Sequence, residues 1–371
     1  MTRVVAHIPV FVVSTVLVVL SACGGAAPAT PVPSAAAPAS AAVPGKPAAS
    51  AGVAAKPASS APAVAMTYGV LPSVGSTPVY VPIENGTFAS QGLDISVQPF
   101  TDTVQIMVSV GSGQLQLGGI TLGAAAFNAL NRGVVLKGLA SLNQDPPGHG
   151  TLAPMVVRAD LWDSGVLRTP AQLKGRKLAV NAKGVILEYT MAKILAKGGL
   201  KPSDVELTYM PFPDMVTALG NKSIDGGMMV EPSATQAITK GVGKLFSDDH
   251  ASGTQYVVIV TNAKFAESHR DAIERFLQTY IEYVRKFSDG GLKKDNQALG
   301  FVEKYTKVTP DITKQVPDPY WHKDGRVNLA SLEDQQSYYL SVKSVDYSQP
   351  IGLASFMDES YLANALKRLG G

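Results

Sequence analysis

The chain has 371 residues, with 32 Lys and Arg against 29 Asp and Glu, so its formal net charge is +3. This weakly basic balance, without clusters of Lys or Arg, gives no reason to expect nucleic acid as a partner. The single cysteine, Cys23, leaves the folded remainder without a disulfide, a thiolate metal site or a cysteine nucleophile.

The N-terminus has the pattern of a secretion signal. A positive residue, Arg3, precedes an apolar stretch from Ile8 to Leu20, which is short for a membrane span. The tetrad that ends in Cys23 resembles the bacterial lipoprotein signal, in which the cysteine carries diacylglycerol and the chain is cleaved just before it. We predict a signal peptide over residues 1–22, lipidation of Cys23, and a lipid-anchored protein on the extracytoplasmic or periplasmic face of the cell membrane. An ordinary signal peptide is the alternative.

Residues 23–65 are dominated by Ala, Pro and Ser, with the near-repeats KPAAS and KPASS. Such a segment has too few large apolar side chains to offset the entropy lost on ordering. We predict a disordered tether behind the lipidated cysteine.

From Met66 onward the chain is globular in composition, and about 300 residues suffice for two lobes. Strand-like segments alternate with helical patterns, which predicts an α/β fold with mostly parallel sheets flanked by helices. The predicted strands are residues 66–71, 93–98, 116–120, 134–141, 153–157, 177–181, 205–210 and 225–230.

The remainder of the chain is predicted to be mainly helical, ending with residues 357–369. A core-facing stripe in one long helix comprises Ile273, Phe276, Leu277, Tyr280, Ile281 and Val284. Earlier in the chain, Pro82 should kink or delay the first helix. We expect Thr121 to cap the helix that contains Phe127.

Ligands of open α/β sheets bind beyond the carboxyl ends of the strands, where loops lead into helices. Five such loops contain small residues that leave room for a ligand and offer it backbone amides. They are residues 72–78, 119–123, 181–184, 209–214 and 228–232.

The segment GVLPSVGSTPVYVPIENGTFASQGLDISV resembles the opening of periplasmic solute-binding proteins of the sulfonate, nitrate and thiamine-precursor group. Its Gly-x-Phe-x-x-x-Gly-Leu turn is occupied here by Gly86, Phe88, Gly92 and Leu93. The resemblance covers nearly all of residues 66–370. Further matching segments are LKGRKLAV, KGGLKPSDVEL, ALGNKSIDGGMMVEP and GRVNLASLEDQQSYYL. One departure is Gln116, which stands where the family commonly has Asp, and we expect it to have a structural role.

The resemblance implies a two-lobe periplasmic-binding-protein fold of type II, with a hinge of two crossing segments. Lobe I would comprise residues 66–150 and 253–371, and lobe II residues 151–252. The hinge would lie near residues 144–152 and 250–256, which include His149 and His250; these two histidines lack the spacing of a metal site. Closure over a small molecule would present it to the permease and ATPase of an ABC importer. We expect a monomer that needs no cofactor or metal and catalyses nothing.

Side chains in and beside the loops indicate the chemistry of the ligand. Aromatic rings stack on planar molecules, and carboxylates accept hydrogen bonds from ring N–H groups. The three acids of the candidate set, against one lysine, favour a planar heterocycle such as riboflavin or the pyrimidine precursor of thiamine. The candidate ligand-binding residues are Ser73, Val74, Thr77, Thr121, Lys183, Gly184, Glu188, Tyr209, Phe212, Asp214, Glu231 and Tyr256.

Three alternatives stay open. An anion such as an aliphatic sulfonate, taurine or nitrate can bind through helix N-terminal amides. A protein of another class, a lipid-anchored enzyme or ligand sensor, can use the same fold, although no nucleophile and base stand at a recognisable spacing. Glu231 can instead cap the helix that follows Pro232.

Overall fold

The computed structural model of the protein describes residues 62–145, 150–249 and 252–370. The chain divides into two units, Met1–Ala54 and Ala55–Gly371. The first unit, with Cys23 and the predicted signal peptide, lies outside the described residues. So do His149, His250 and all of the predicted tether except residues 62–65. Within the three described ranges, no helix combines the length and hydropathy that a membrane span requires.

Two five-stranded sheets form the framework of the described part of the chain. The first sheet has the order β2-β1-β3-β10-β4, and the second has the order β7-β6-β8-β5-β9. The strands are β1 (Val64–Val70), β2 (Leu93–Pro99), β3 (Leu117–Ile120), β4 (Leu136–Gln144), β5 (Met155–Arg158), β6 (Lys177–Val180), β7 (Glu206–Tyr209), β8 (Gly226–Met228), β9 (Gly243–Ser247) and β10 (Gln255–Asn262).

Each sheet contains one reversed strand. In the first sheet β1 pairs in parallel with β2 and β3, whereas β10 runs antiparallel to β3 and β4. In the second sheet β6 pairs in parallel with β7 and β8, whereas β5 runs antiparallel to β8 and β9. The other four strands of each sheet therefore share one direction, and the predicted α/β two-lobe fold is confirmed.

Helices cover both sheets and make up most of the C-terminal part. They are α1 (Thr77–Glu84), α2 (Thr87–Ser90), α3 (Thr103–Gly111), α4 (Ala124–Asn131), α5 (Ala159–Asp163), α6 (Ile186–Lys197), α7 (Phe212–Gly220), α8 (Ser233–Thr239), α9 (Ala263–Ser268), α10 (Arg270–Phe287), α11 (Asn296–Thr306), α12 (Pro310–Gln315), α13 (Leu329–Ser341) and α14 (Glu359–Arg368). Short 3-10 turns occupy Val74–Ser76, Pro170–Leu173, Pro202–Asp204, Leu292–Lys294 and Leu353–Ser355.

The chain crosses between the sheets twice, from β4 to β5 and from β9 back to β10. The two crossing segments hydrogen-bond to each other: Asp145 N donates to the Thr254 carbonyl at 2.9 Å, and Gly253 N donates to the Asp145 carbonyl at 2.7 Å. This arrangement matches the expected hinge of two crossing segments.

The long helix α10 packs on the first sheet through its apolar face, where all six residues of the predicted stripe are fully buried. At its centre the Tyr280 hydroxyl donates to the Ser141 carbonyl of β4 at 2.7 Å, which satisfies a polar group inside the core. The predicted core-facing stripe is confirmed.

The eight predicted strands all form, within a few residues of their predicted ends, but β9 and β10 were missed. For β10 the signal was present in the run of β-branched residues from Val257 to Val260. The signal for β9 was weak, because the strand has only five residues, begins with a glycine and alternates weakly.

Three local expectations can be compared with the structure. Pro82 lies inside α1, which ends two residues later at Glu84. Gln116 does have a structural role, since its side-chain oxygen accepts a hydrogen bond from Thr67 N at 2.9 Å and ties β1 to the start of β3. The expected cap by Thr121 is wrong, because α4 begins after Gly123 without a side-chain cap.

Candidate functional site

The loop between β3 and α4, which follows a strand of the first sheet, contacts the loop between β6 and α6, which follows a strand of the second sheet. Ala124 N donates to the Gly184 carbonyl at 2.8 Å. The approach is so close that a Cβ atom on Gly123 would lie 2.6 Å from the Gly184 carbonyl oxygen. We call residues 121–124 and 183–185 the closed face.

A small cavity of about 40 Å³ remains beside the closed face, lined by Thr103, Thr121, Lys183 and Gly184 among others. The hydroxyls of Thr103 and Thr121 lie 2.9 Å apart and share a hydrogen bond. Lys183 is exposed, and no described carboxylate forms an ion pair with it. The structure thus brings three predicted ligand residues, Thr121, Lys183 and Gly184, to one place.

Glu188 and Tyr209 bind each other beside this loop. One carboxylate oxygen of Glu188 accepts from Gly184 N at 2.9 Å, and the other accepts from the Tyr209 hydroxyl at 2.8 Å. Burial, followed by the neighbouring Glu188 carboxylate, raises the pKa of Tyr209 to about 12. Both side chains therefore already have partners within the protein, which hold the β6–α6 loop in shape.

Helix α13 contacts both halves of the protein. On the first-sheet side, its buried Gln335 donates a hydrogen bond to the Gln255 carbonyl of β10. On the second-sheet side, it binds α6. The Tyr189 hydroxyl and the Lys193 ammonium both donate to Asp334, at 2.6 and 2.5 Å. Burial alone would raise the pKa of Asp334, but these two donors bring that pKa below its ordinary value. The α6–α13 contact is a second direct connection between the two halves.

A larger cavity of about 300 Å³ lies between second-sheet elements and the segment that follows α12. Its polar lining consists of two carboxylates, three hydroxyls and one amide. They belong to Glu231, Asp248, Thr151, Thr235, Thr239 and Gln315. We call this space the acidic cavity, because no described lysine, arginine or histidine lines it.

Glu231 is 7% exposed, and one of its oxygens accepts from Thr235 N, in the first turn of α8, at 3.0 Å. Among the described residues, no hydrogen bond reaches its other oxygen. Burial raises the pKa of Glu231, and the neighbouring Thr235 groups only partly oppose that rise. Glu231 therefore caps α8, as the alternative interpretation held, and also faces the cavity.

Asp145 and Tyr256, at the crossing segments, are 6% and 9% exposed. Among the described residues, Asp145 Oδ2 and the Tyr256 hydroxyl have no hydrogen-bond partner. Burial raises the pKa of Asp145 to about 7, although the nearby hydroxyls of Thr151 and Tyr256 favour its ionised form. Sequence reasoning missed Asp145, because nothing in its local sequence shows that a residue beside a loop is buried.

The predicted ligand residues of the β1–α1 loop make hydrogen bonds within the protein or are buried in it. Val74 is 3% exposed, and the Thr77 hydroxyl donates to the Val74 carbonyl at 2.6 Å. Ser73 N donates to the Tyr80 hydroxyl at 3.4 Å, and Trp321 Nε1 donates to the Gly75 carbonyl at 2.8 Å. These contacts fix the loop, and its side chains line neither cavity.

Phe212 and Asp214 lie in the first turn of α7, after β7 at the edge of the second sheet. Phe212 is half-buried and packs against the core of that sheet, whereas Asp214 is exposed. Neither lines the small cavity beside the closed face or the acidic cavity. Their role as ligand contacts stays a prediction.

Residues 59–299 match the model of the NMT1-like family. The chain belongs to the NMT1-like family. It is also 25% identical, over 211 residues, to the taurine-binding periplasmic protein of Escherichia coli strain K12. That match covers 55% of this chain and 61% of the relative, so it spans less than two thirds of the relative's length.

Solved structures share the fold of this NMT1-like protein. The aliphatic sulphonate-binding protein of Escherichia coli has a TM-score of 0.64 at 19% identity, over 78% of this chain and 93% of its own. The nitrate-binding protein of Synechocystis PCC 6803 has a TM-score of 0.65 at 14% identity, over 83% of this chain and 89% of its own. A desulfurization enzyme has a TM-score of 0.56 at 16% identity, over 82% of this chain and 99% of its own. These identities support the architecture alone.

Proposed function

We propose that the protein is the extracytoplasmic solute-binding component of an ABC importer and captures a small organic sulfonate by closing its two lobes. The named relative and neighbours support this, since they bind taurine, aliphatic sulphonate and nitrate. The two crossing segments between the sheets suit a hinge. Its partners would be the permease and ATPase of the same importer.

The observation that carries the choice of an anion is Lys183 at the closed face, a cation without a described carboxylate partner. It lies beside the Thr103 and Thr121 hydroxyls and the start of α6, whose N-terminus has no side-chain cap. Hydroxyls, free amides and an ammonium group together bind sulfonate oxygens. The anion binds once the contact between the two loops loosens.

The heterocycle hypothesis loses most of its support. It depended on acidic and aromatic side chains, yet Glu188 and Tyr209 are bound to each other. Asp214 and Phe212 line neither cavity. Riboflavin and a thiamine pyrimidine precursor are therefore second candidates.

The test is a calorimetric titration of the purified chain with ethanesulfonate, taurine, nitrate and riboflavin. We expect the sulfonates to bind, and we expect Lys183→Ala to weaken that binding about tenfold, the loss of one charge-assisted contact. Lys174→Ala, which removes an exposed lysine in the turn before β6, is the matched control. A yellow preparation that binds riboflavin and no sulfonate would contradict the proposal.

The proposal includes no chemical reaction. The desulfurization enzyme shares the fold, but fold does not carry activity. The described residues contain no cysteine and no group of three or more His, Cys, Asp or Glu side chains placed to hold a metal ion. Mass spectrometry of the released ligand should return the added compound unchanged, and any product would overturn this point.

We further propose that the lipid on Cys23 holds the protein near its permease, with residues 23–65 as the tether. The support is the lipoprotein-like tetrad at residues 20–23. Cys23→Ala should move the protein from the membrane fraction to the soluble fraction without changing its affinity for the ligand. Membrane association that survives the substitution would refute the anchor.

A further inference from the structure

The α6–α13 contact joins the two halves of the protein through one carboxylate. Asp334 of α13 accepts hydrogen bonds from the Tyr189 hydroxyl at 2.6 Å and the Lys193 ammonium at 2.5 Å, both on α6. The two donors lie one helical turn apart, and the Lys193 ammonium is 5.0 Å from the centre of the Tyr189 ring. Because Tyr189 is only 4% exposed, water would replace its lost acceptor poorly.

The rest of α13 is held on the first half. Gln335 donates to the Gln255 carbonyl of β10 at 2.9 Å. The Tyr339 ring contacts Phe127 of α4, with the ring centres 5.9 Å apart. A movement of α6 away from the first sheet would therefore break the hydrogen bonds to Asp334, because α13 stays with that sheet.

The first turn of α6 connects this contact to the closed face. The Tyr338 hydroxyl of α13 donates to the Glu188 carbonyl at 3.4 Å, and the Glu188 carboxylate accepts from Gly184 N at 2.9 Å. The Gly184 carbonyl in turn accepts from Ala124 N of the other half at 2.8 Å. A continuous series of hydrogen bonds thus links the two places where the halves meet, and we expect them to open together.

We propose that Asp334 is a positioning residue for solute capture, which stabilises the closed arrangement of the lobes through the α6–α13 contact. Its side chain lines neither cavity, so it acts without touching the solute. This inference rests on the proposed function only for the movement of the lobes. The apparent dissociation constant of a solute rises as the closed, binding-competent fraction of the protein falls. Loss of Asp334 should therefore weaken every solute that needs closure by one common factor.

The first measurement is hydrogen–deuterium exchange of the full chain without added solute. Ala124 is the first residue of α4 and has no acceptor within that helix, so protection of its amide depends on the Gly184 carbonyl. Asp334→Ala should accelerate exchange at Ala124 about fivefold, which corresponds to the loss of roughly one hydrogen bond. Glu333→Ala, at the exposed carboxylate one residue earlier on α13, should leave that exchange unchanged.

The second measurement is calorimetry with ethanesulfonate and with taurine. Asp334→Ala should weaken both by the same factor of about five. Asp334→Asn keeps an oxygen acceptor for the Tyr189 hydroxyl and should have a smaller effect. Lys183→Ala should weaken binding without changing the exchange at Ala124, because it removes a contact to the solute. If Asp334→Ala does not fold, Tyr189→Phe, which keeps the ring and removes one donor, should show the same two changes to a smaller extent.

The outcomes separate this proposal from the proposed function. Faster exchange confined to α6 and α13, with Ala124 still protected, would make Asp334 a local stabiliser and overturn its positioning role. Equal acceleration in the core strand β10 would indicate general destabilisation and also overturn it. If the wild type bound sulfonates and Asp334→Ala bound them equally well, the proposed function would stand and the positioning role would fall. If exchange at Ala124 rose as expected but the wild type bound neither sulfonate, the control of closure by Asp334 would stand and the sulfonate function would fall.

Discussion

The closed face is a contact between the two halves of the protein and the acidic cavity is a space between them, and they differ in how their polar groups are satisfied. At the closed face Ala124 N binds the Gly184 carbonyl, and Glu188 binds Gly184 N and the Tyr209 hydroxyl. In the acidic cavity Glu231 keeps one oxygen without a hydrogen bond from a described residue. The polar groups of the closed face are therefore bonded within the protein, whereas the acidic cavity keeps a free acceptor.

The closed face and the acidic cavity also differ in whether they connect the two halves of the protein. The closed face and the α6–α13 contact join them directly, whereas an open space separates them at the acidic cavity. A ligand stabilises closure only through contacts that the open state lacks, so a ligand at the closed face has to offset the contacts that it replaces. Three substitutions test this contrast, in order of decreasing effect.

The largest effect should come from Asp145→Asn, at the crossing segments beside Thr151 of the acidic cavity. Burial raises the pKa of Asp145 to about 7 in the folded protein, above its unfolded value of about 3.9. The protonated form is favoured on folding, so its stabilising contribution is complete below about pH 4 and is lost as the pH rises through 7. The wild type should lose on the order of 2–4 kcal/mol of unfolding free energy between pH 4 and pH 8 relative to the variant.

Urea unfolding at pH 4, 6 and 8 measures this difference. Asp94→Asn, at an exposed carboxylate on β2, is the control and should leave the pH profile unchanged. A wild-type profile parallel to that of Asp145→Asn would mean that burial does not raise the pKa of Asp145 and would contradict this prediction.

An intermediate effect should come from Gly123→Ala at the closed face. The added Cβ would lie 2.6 Å from the Gly184 carbonyl oxygen, so the two loops must separate. Overpacking of this kind costs about 1–3 kcal/mol. Unfolding free energy and sulfonate affinity should both fall, whereas Gly300→Ala, which meets nothing within 4 Å, should leave affinity unchanged. Normal affinity in Gly123→Ala would show that the closed face opens without consequence.

The smallest effect should come from Tyr209→Phe, which removes the hydrogen bond to Glu188. Tyr209 is 43% exposed, so water can replace the lost donor and the stability change should stay below about 1 kcal/mol. Sulfonate affinity should change little, as the hydroxyl is engaged within the protein. A tenfold loss of affinity, with stability unchanged, would restore Tyr209 as a ligand contact.

Much of the fold could be predicted because it depends on local patterns. Residues 93–98 and 177–181 alternate or cluster in the manner of strands, and the stripe from Ile273 to Val284 repeats with helical spacing. The missed strand β10 had a readable run of β-branched residues. Its antiparallel pairing with β3 and β4 could not be predicted from the local sequence, because strand direction depends on where the chain re-enters the sheet.

The candidate site was less predictable, because its chemistry depends on pairs far apart in sequence. Glu188 and Tyr209 both carried the right groups for a ligand, yet they bind each other across 21 residues. Thr121 had the composition of a helix cap, yet it binds the Thr103 hydroxyl on the preceding helix. Glu231 lines the acidic cavity, which the sequence could not show, because its local pattern reveals only that a proline follows it.

The amino-acid sequence, through its alternation of strand and helix patterns and its matching motifs, was sufficient for the two-lobe α/β architecture and for the loops in which to seek a ligand. Tertiary structure alone decided which of those loops touch, which carboxylates keep unpaired oxygens, and that Asp145 is buried between segments joined at Thr254. The physical reason is that periodicity is a local property of the chain. Desolvation and hydrogen bonding, in contrast, are set by neighbours that only the folded chain brings together.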